Sequence, residues 1–155
     1  MGIINFQGKR AAVQKDDSAP ILVADYMTKK LVFFKEEQPI EEVIEVFINH
    51  RISGAPVVND NNELIGMISE GDCIKQISES RYYNLPIDNN NTVGKVMIKE
   101  VETIDGNMNI FDAANKFLDS KLRRFPIVEN RKLVGQISQK DVLKAATRLK
   151  GNTWK

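Results

Sequence analysis

The stretch that decides the fold runs Pro56-Val57-Val58, then the turn Asn59-Asp60-Asn61-Asn62, then Leu64-Ile65-Gly66-Met67-Ile68-Ser69-Glu70-Gly71-Asp72. It recurs as Pro126-Ile127-Val128, the turn Glu129-Asn130-Arg131, and Leu133-Val134-Gly135-Gln136-Ile137-Ser138-Gln139-Lys140-Asp141. The copies stand 70 residues apart through the Pro-Val/Ile-Val stretch and 69 apart after the turn, because the second turn is one residue shorter. Asn and Asp tolerate turn geometry, so each stretch reads as two short strands joined by a tight turn. Working outward, Met27 matches Met97, Ile40 matches Ile110 and Phe47 matches Phe117, all at the same offset. The period is too long for a common solenoid, so the expectation is two half-domains of one design.

Each copy opens on an apolar stretch of strand-like character, residues 31–34 or 101–104. A helix follows. Ile40, Val43, Ile44, Phe47 and Ile48 fall at i, i+3, i+4, i+7 and i+8, one face of a 3.6-residue period, and Ile110, Ala113, Ala114, Phe117 and Leu118 repeat those steps. Pro39 suits the first helical position, where no N–H is needed. A last helix follows each strand pair, with Cys73, Ile74 and Ile77, or Val142, Leu143 and Ala146, as its apolar face. The unit order is β-α-β-β-α, an α/β chain of α+β type with the two units packed pseudo-symmetrically. The division is residues 1–20 as an extension, 21–83 as the first unit, 84–93 as an Asn-rich linker with Pro86, 94–150 as the second unit, and 151–155 as a tail carrying Trp154.

Composition narrows the chemistry. The 155 residues carry 22 Lys+Arg against 21 Asp+Glu, one His and one Cys. A domain of this size buries roughly 68–70% of its unfolded surface. The balanced charge argues against a dedicated nucleic-acid binder. One Cys and one His build neither a disulfide nor a Cys/His zinc cluster, so no metal is expected. A serine or cysteine hydrolase would need His50, which ends a helix and reads as solvated. No Gly-rich phosphate loop or Gly-x-Ser-x-Gly elbow is present, so no catalytic residue is assigned. Apolar runs stop at four residues, well short of the roughly 20 of a spanning helix, and no secretory leader is visible. No membrane association and a reducing, cytoplasmic setting are expected.

Two constellations carry binding chemistry. Ser69-x-x-Asp72 and Ser138-x-x-Asp141 stand at strand-to-helix junctions. Such a pair forms a capping box, with the Ser oxygen accepting the third amide and the acid reaching back to the cap. A helix start also favours an anion through its free N–H groups, and a carboxylate accepts both hydroxyls of a ribose diol. The same residues serve either reading. Basic residues precede the strand: Lys121, Arg123 and Arg124 in the second copy, Arg51 in the first. Arg engages phosphate oxygens bidentately, whereas a solvated charged turn is the plainer role. Arg124 faces Gly54 in the alignment, which suggests two unequal clefts. Pro56 and Pro126 fit either contact with a planar base or the start of a strand. Cys73 reads as a small buried hydrophobe. Asp16-Asp17, Glu36-Glu37 and Tyr82-Tyr83 read as solvated or packing groups.

The repeated string hydrophobic-Pro-Val/Ile-Val, turn, Leu-hydrophobic-Gly-x-Ile-Ser-x-x-Asp resembles the cystathionine-beta-synthase-type (CBS) domain. The lead-ins Asp25-Tyr26-Met27-Thr28 and Lys95-Val96-Met97 are similar to that family's entry motif. The resemblance implies a tandem pair with clefts between its two units that take AMP, ADP, ATP or S-adenosylmethionine. It places ligand contacts at Thr28, Arg51, Pro56, Ser69, Asp72, Lys121, Arg123, Arg124, Pro126, Ser138 and Asp141, while Ile98 stands where the second copy would carry the equivalent of Thr28. It further implies a non-enzymatic regulatory sensor, requiring no cofactor, that forms a homodimer and signals to an unknown effector protein. The alternatives are a structural module with empty clefts and, with less support, nucleic-acid binding through the 121–124 patch.

Overall fold

The structure, a computed structural model, describes residues 20–82 and 91–153. The readings placed on residues 1–19, on Tyr83 and the linker through residue 90, and on Trp154 lie outside the described residues. The elements run α1 (Val23–Tyr26), α2 (Ile40–His50), β1 (Gly54–Val58), β2 (Leu64–Ser69), α3 (Glu70–Tyr82), α4 (Val93–Val96), α5 (Ile110–Ser120), β3 (Arg124–Glu129), β4 (Lys132–Ser138) and α6 (Gln139–Thr153). The strands form two two-stranded sheets, β1 with β2 and β3 with β4. This is the α+β arrangement expected, with the two strands on either side of each turn where the repeat placed them.

Contacts group the described residues differently from the repeat boundaries. Residues 30–82, 91–103 and 128–134 form one compact unit, here the β1–β2 unit; residues 20–29, 104–127 and 135–153 form the β3–β4 unit. Each repeat's lead-in therefore belongs to the sheet of the other repeat. Ile98 exchanges two backbone hydrogen bonds with Met67 of β2, at 2.8 and 2.9 Å, and Thr28 does the same with Gln136 of β4. The short helices are tied in the same sense. The first amides of α4 donate to loop carbonyls of Gln38 and Glu36, and those of α1 to Met108 and Gly106, all at 2.9 Å. These bonds occupy donors that a helix start cannot satisfy internally.

The exchange explains the glycine in each copy of the motif. A Cβ on Gly66 would stand 2.5 Å from Met97 Sδ and 2.9 Å from the Ile98 carbonyl; on Gly135 it would stand 2.7 Å from Met27 Sδ and 3.1 Å from the Thr28 carbonyl. The incoming Met and its backbone occupy the space a side chain would fill.

Residues 31–34 and 101–104 form single parallel bridges, Phe34 to Val57 and Ile104 to Ile127, and not the strands their composition suggests. Proline is the reason. Phe34 N–H donates to the Pro56 carbonyl at 3.0 Å and Val58 N–H to the Phe34 carbonyl at 2.9 Å. The next parallel rung would need an N–H from residue 56, which proline lacks. Pro126 stops the ladder at Ile104 in the same way, with Ile104 N–H donating to the Pro126 carbonyl at 3.0 Å.

In the β1–β2 unit, Phe34, Ile40, Val43, Phe47, Ala55, Val57, Ile68, Cys73 and Val93 form the core. Phe34 meets Phe47 edge to face with centroids 5.9 Å apart, a geometry aromatic quadrupoles favour. The core of the β3–β4 unit includes Val23, Ile110, Ala113, Phe117, Phe125, Ile127 and Ile137, with Phe117 and Phe125 centroids 4.8 Å apart. The helical periodicity holds through four steps of five in both copies; the fifth, Ile48 and Leu118, is exposed. Pro39 is the N-cap of α2, extended at φ −69° and ψ 148°, one residue before the position expected. The expected apolar faces of the last helices are corrected as well. Cys73 is buried, but Ile74, Ile77 and Leu143 are exposed, while Ala145 is the fully packed residue of α6. Among the described residues, no helix is long and apolar enough to cross a membrane.

Candidate functional site

Both Ser-x-x-Asp pairs close as capping boxes with nearly identical geometry. In the β1–β2 unit, Ser69 N–H and Ser69 Oγ each donate to Asp72 Oδ2 at 2.9 Å, and Asp72 N–H donates to Ser69 Oγ at 3.3 Å. In the β3–β4 unit, the Ser138 N–H and Oγ distances to Asp141 Oδ2 are 2.9 and 3.0 Å, and Asp141 N–H reaches Ser138 Oγ at 3.2 Å. One oxygen of each carboxylate does all of this. Oδ1 of Asp72 and of Asp141 carries no hydrogen bond among the described residues. Asp141 is 7% exposed, the buried charged residue of the described chain, and Asp72 is half-buried.

The helix starts are less open than the sequence suggests. Glu70 N–H donates to the Ser53 carbonyl at 2.9 Å, and Gln139 N–H to the Arg123 carbonyl at 3.2 Å. With the third amide held by the Ser oxygen, only the second, from Gly71 or Lys140, is left for an anion among the described residues. Sequence reasoning missed the carbonyls of Ser53 and Arg123, because no side-chain pattern signals a backbone acceptor.

Arg51 and Lys121 are the C-caps of α2 and α5, both left-handed, at φ 54° and 61°. Each stands where glycine is favoured, and their cations lie at the negative end of a helix dipole. Both are exposed, as is Arg123; Arg124 is half-buried and engaged with a neighbour. Pro56 is fully buried and sits in the middle of β1, opposite Met67, so it does not start the strand. Pro126 is likewise buried within β3. Thr28 is exposed, and its bonds to Gln136 bring it within two residues of Ser138 on β4. The fold thus gathers Thr28, Lys121, Arg123, Arg124, Pro126, Ser138 and Asp141 in the β3–β4 unit, and Arg51, Pro56, Ser69 and Asp72 in the β1–β2 unit. Thr28 precedes the first copy in sequence, and the exchanged lead-in places it in the unit of the second.

Burial pushes the Cys73 thiol above its ordinary value, and the charges of Asp72 and Glu70 add to the effect. His50 is exposed at the end of α2, and Glu36 and Glu37 are exposed. Among the described residues, no cluster of three or more His, Cys, Asp or Glu is placed to hold a metal ion.

A duplicated helix-capped strand pair, each copy completed by the other's lead-in, defines a tandem α+β fold. A CBS domain family model matches residues 23–79 and 93–148, and the chain belongs to that family. It is 31% identical over 132 residues to the uncharacterized protein MJ1225 of Methanocaldococcus jannaschii, covering 85% of this chain and 44% of that protein. It is 30% identical over 153 residues to the chloroplastic CBS domain-containing protein CBSX1 of Arabidopsis thaliana, covering 83% of this chain and 65% of that protein. The chain thus spans less than two thirds of both. Among solved structures, CBSX2 in complex with AMP superposes with a TM-score of 0.73 at 28% identity, over 83% of this chain and 98% of that one. The CBS domain pair of MJ0100, in complex with 5′-methylthioadenosine and S-adenosyl-L-methionine, does so with a TM-score of 0.68 at 22% identity, over 84% and 99% of the two chains.

Proposed function

We propose that this chain is a non-catalytic regulatory module that binds adenosine-containing ligands through its two Ser-x-x-Asp boxes. The observation that carries the reading is the one-sided use of each carboxylate. Oδ2 closes the cap, while Oδ1 remains as an acceptor for a ribose diol. The AMP complex of CBSX2, at 28% identity, supports an adenosyl ligand. In the β3–β4 unit, Lys121 and Arg123 supply charge for phosphates and Thr28 a hydroxyl on the adjoining strand, which favours AMP, ADP or ATP there. Of the basic residues expected at the site, the β1–β2 unit holds Arg51 only, a less charged set suited to S-adenosylmethionine. In that unit Pro56 gives no N–H to the Val32 carbonyl, leaving an acceptor of the kind an adenine amine uses.

Ligand differences act by favouring one arrangement of the chain over another. The exposed Ile48, Ile74 and Ile77 of one unit, and Phe111, Leu118 and Leu143 of the other, suit burial in a homodimer or against an effector protein. A cytoplasmic setting fits a nucleotide sensor. A structural module with unoccupied sites is the second reading, favoured by boxes that are already closed by their own residues. Thermal-shift titration of the full chain with AMP, ADP, ATP and S-adenosylmethionine separates the two. A saturable rise with at least one ligand supports the sensor; flat responses at millimolar concentrations refute it.

A further inference from the structure

One recess is lined by residues other than those of the Ser-Asp boxes. It is a cavity of about 400 Å³ within the β1–β2 unit, inside the roughly 300–1,000 Å³ range of small-molecule sites. Its polar lining is Glu63, Lys99, Thr103, Arg131 and Asn59. Ile65, Val101 and Val128 supply apolar wall. Neither Lys99 nor Arg131 has an ion-pair or hydrogen-bond partner for its side chain among the described residues. Glu63 accepts a hydrogen bond from Asn59 Nδ2 at 3.0 Å through Oε1, which leaves Oε2 unengaged.

The backbone at Arg131 points the same way. Asn130 and Arg131 are both left-handed, at φ 52° and 68°. A two-residue hairpin turn with both central φ positive prefers Asn-Gly. Arg131 occupies the glycine position, so its side chain is kept against a backbone preference, a pattern that accompanies functional positions. The repeat supplies a contrast. The positions matching Glu63, Thr103 and Arg131 are Lys132, Phe33 and Asn62, so this set of groups is built once, whereas the Ser-Asp box is built twice.

We propose that this cavity binds a small aliphatic amino acid: its carboxylate at Lys99 and Arg131, its ammonium at Glu63, and its side chain on Ile65, Val101 and Val128. Two cations beside one carboxylate match a zwitterion better than a simple anion, and the apolar wall selects an aliphatic body. The inference stands apart from the adenosyl reading. It is tested on the full chain by amide NMR titration with L-leucine, its deaminated analogue 4-methylpentanoate, and inorganic phosphate. L-leucine is expected to shift the amides of residues 63–65, 99–103 and 128–131. Lys99→Ala and Arg131→Gly are each expected to weaken it about tenfold or more, the cost of one charged hydrogen bond, and AMP titration is expected to be unchanged in both. Arg131→Gly suits the local φ, so folding is retained. Equal response to phosphate or to the deaminated analogue, no response to L-leucine, or full binding by both variants would each overturn the proposal.

Discussion

Asp141 holds a cap and, in the proposed function, a ligand, and two substitutions separate these roles. Asp141→Ala removes the acceptor of Ser138 N–H and Oγ, at 2.9 and 3.0 Å. Loss of an N-terminal cap costs about 0.5–2 kcal/mol, and bonds to a charged group contribute about 1.5–3 kcal/mol. These overlap, so about 2 kcal/mol is expected, or roughly 4–8 °C in Tm at about 2–4 °C per kcal/mol for a chain this size. Asp141→Asn keeps a carbonyl oxygen for Ser138 N–H, and its stability cost should stay below about 1 kcal/mol. It removes the charge and places a donor where a ribose diol needs an acceptor, so affinity for AMP should fall about tenfold to a hundredfold. Isothermal titration with AMP, paired with chemical denaturation, reads both quantities. Wild-type AMP affinity in a folded Asp141→Asn variant would refute the ligand role and leave Asp141 as a cap alone.

Three further predictions follow from the geometry. Gly135→Ala and Gly66→Ala should each cost about 1–3 kcal/mol in urea unfolding through overpacking against the incoming Met and its backbone; a neutral Gly135→Ala would deny the close approach of Met27 and Thr28. Lys121→Gly, at φ 61°, should leave stability equal or raise it by up to about 1 kcal/mol, while weakening AMP and reducing the salt dependence of its binding; unchanged AMP affinity would confine Lys121 to capping. Cys73 should react with thiol reagents far more slowly folded than unfolded. Because its folded pKa is raised, its contribution to stability is complete below the unfolded value, about 8.5, and is lost as pH climbs through that value towards the folded one. Cys73→Ala should flatten that alkaline decline, and an unaltered pH profile would contradict the assignment.

Most of the architecture was legible because the motif occurs twice and the periodicity of each copy agrees. Strands β1 to β4 and helices α2 and α5 fall within a residue or two of their expected places. Residues 31–34 looked like a strand by composition; only the missing N–H of Pro56 shows why they make a single bridge. The exchange of lead-ins was hidden for a physical reason. With matching copies, Thr28 can extend β2 or β4 with equal local chemistry, and register is set by tertiary packing. Gly66 and Gly135 carried the clue, since each marks a close approach, but a glycine does not name what approaches. The Ser-Asp boxes were found from spacing, whereas the carbonyls of Ser53 and Arg123 that fill the helix starts left no trace. That Ile74, Ile77 and Leu143 are exposed was not legible, because an apolar stripe looks the same whether the chain buries it or leaves it exposed.

The central claim is that these units hold an adenosyl ligand, and thermal unfolding of the full chain with saturating AMP tests it most directly. Ligand at about 100 times Kd adds about 2.7 kcal/mol, or roughly 5–10 °C in Tm at this chain length, and Asp141→Asn should lose most of that rise. A Tm that stays flat for AMP, and equally for ADP, ATP and S-adenosylmethionine, would contradict the account.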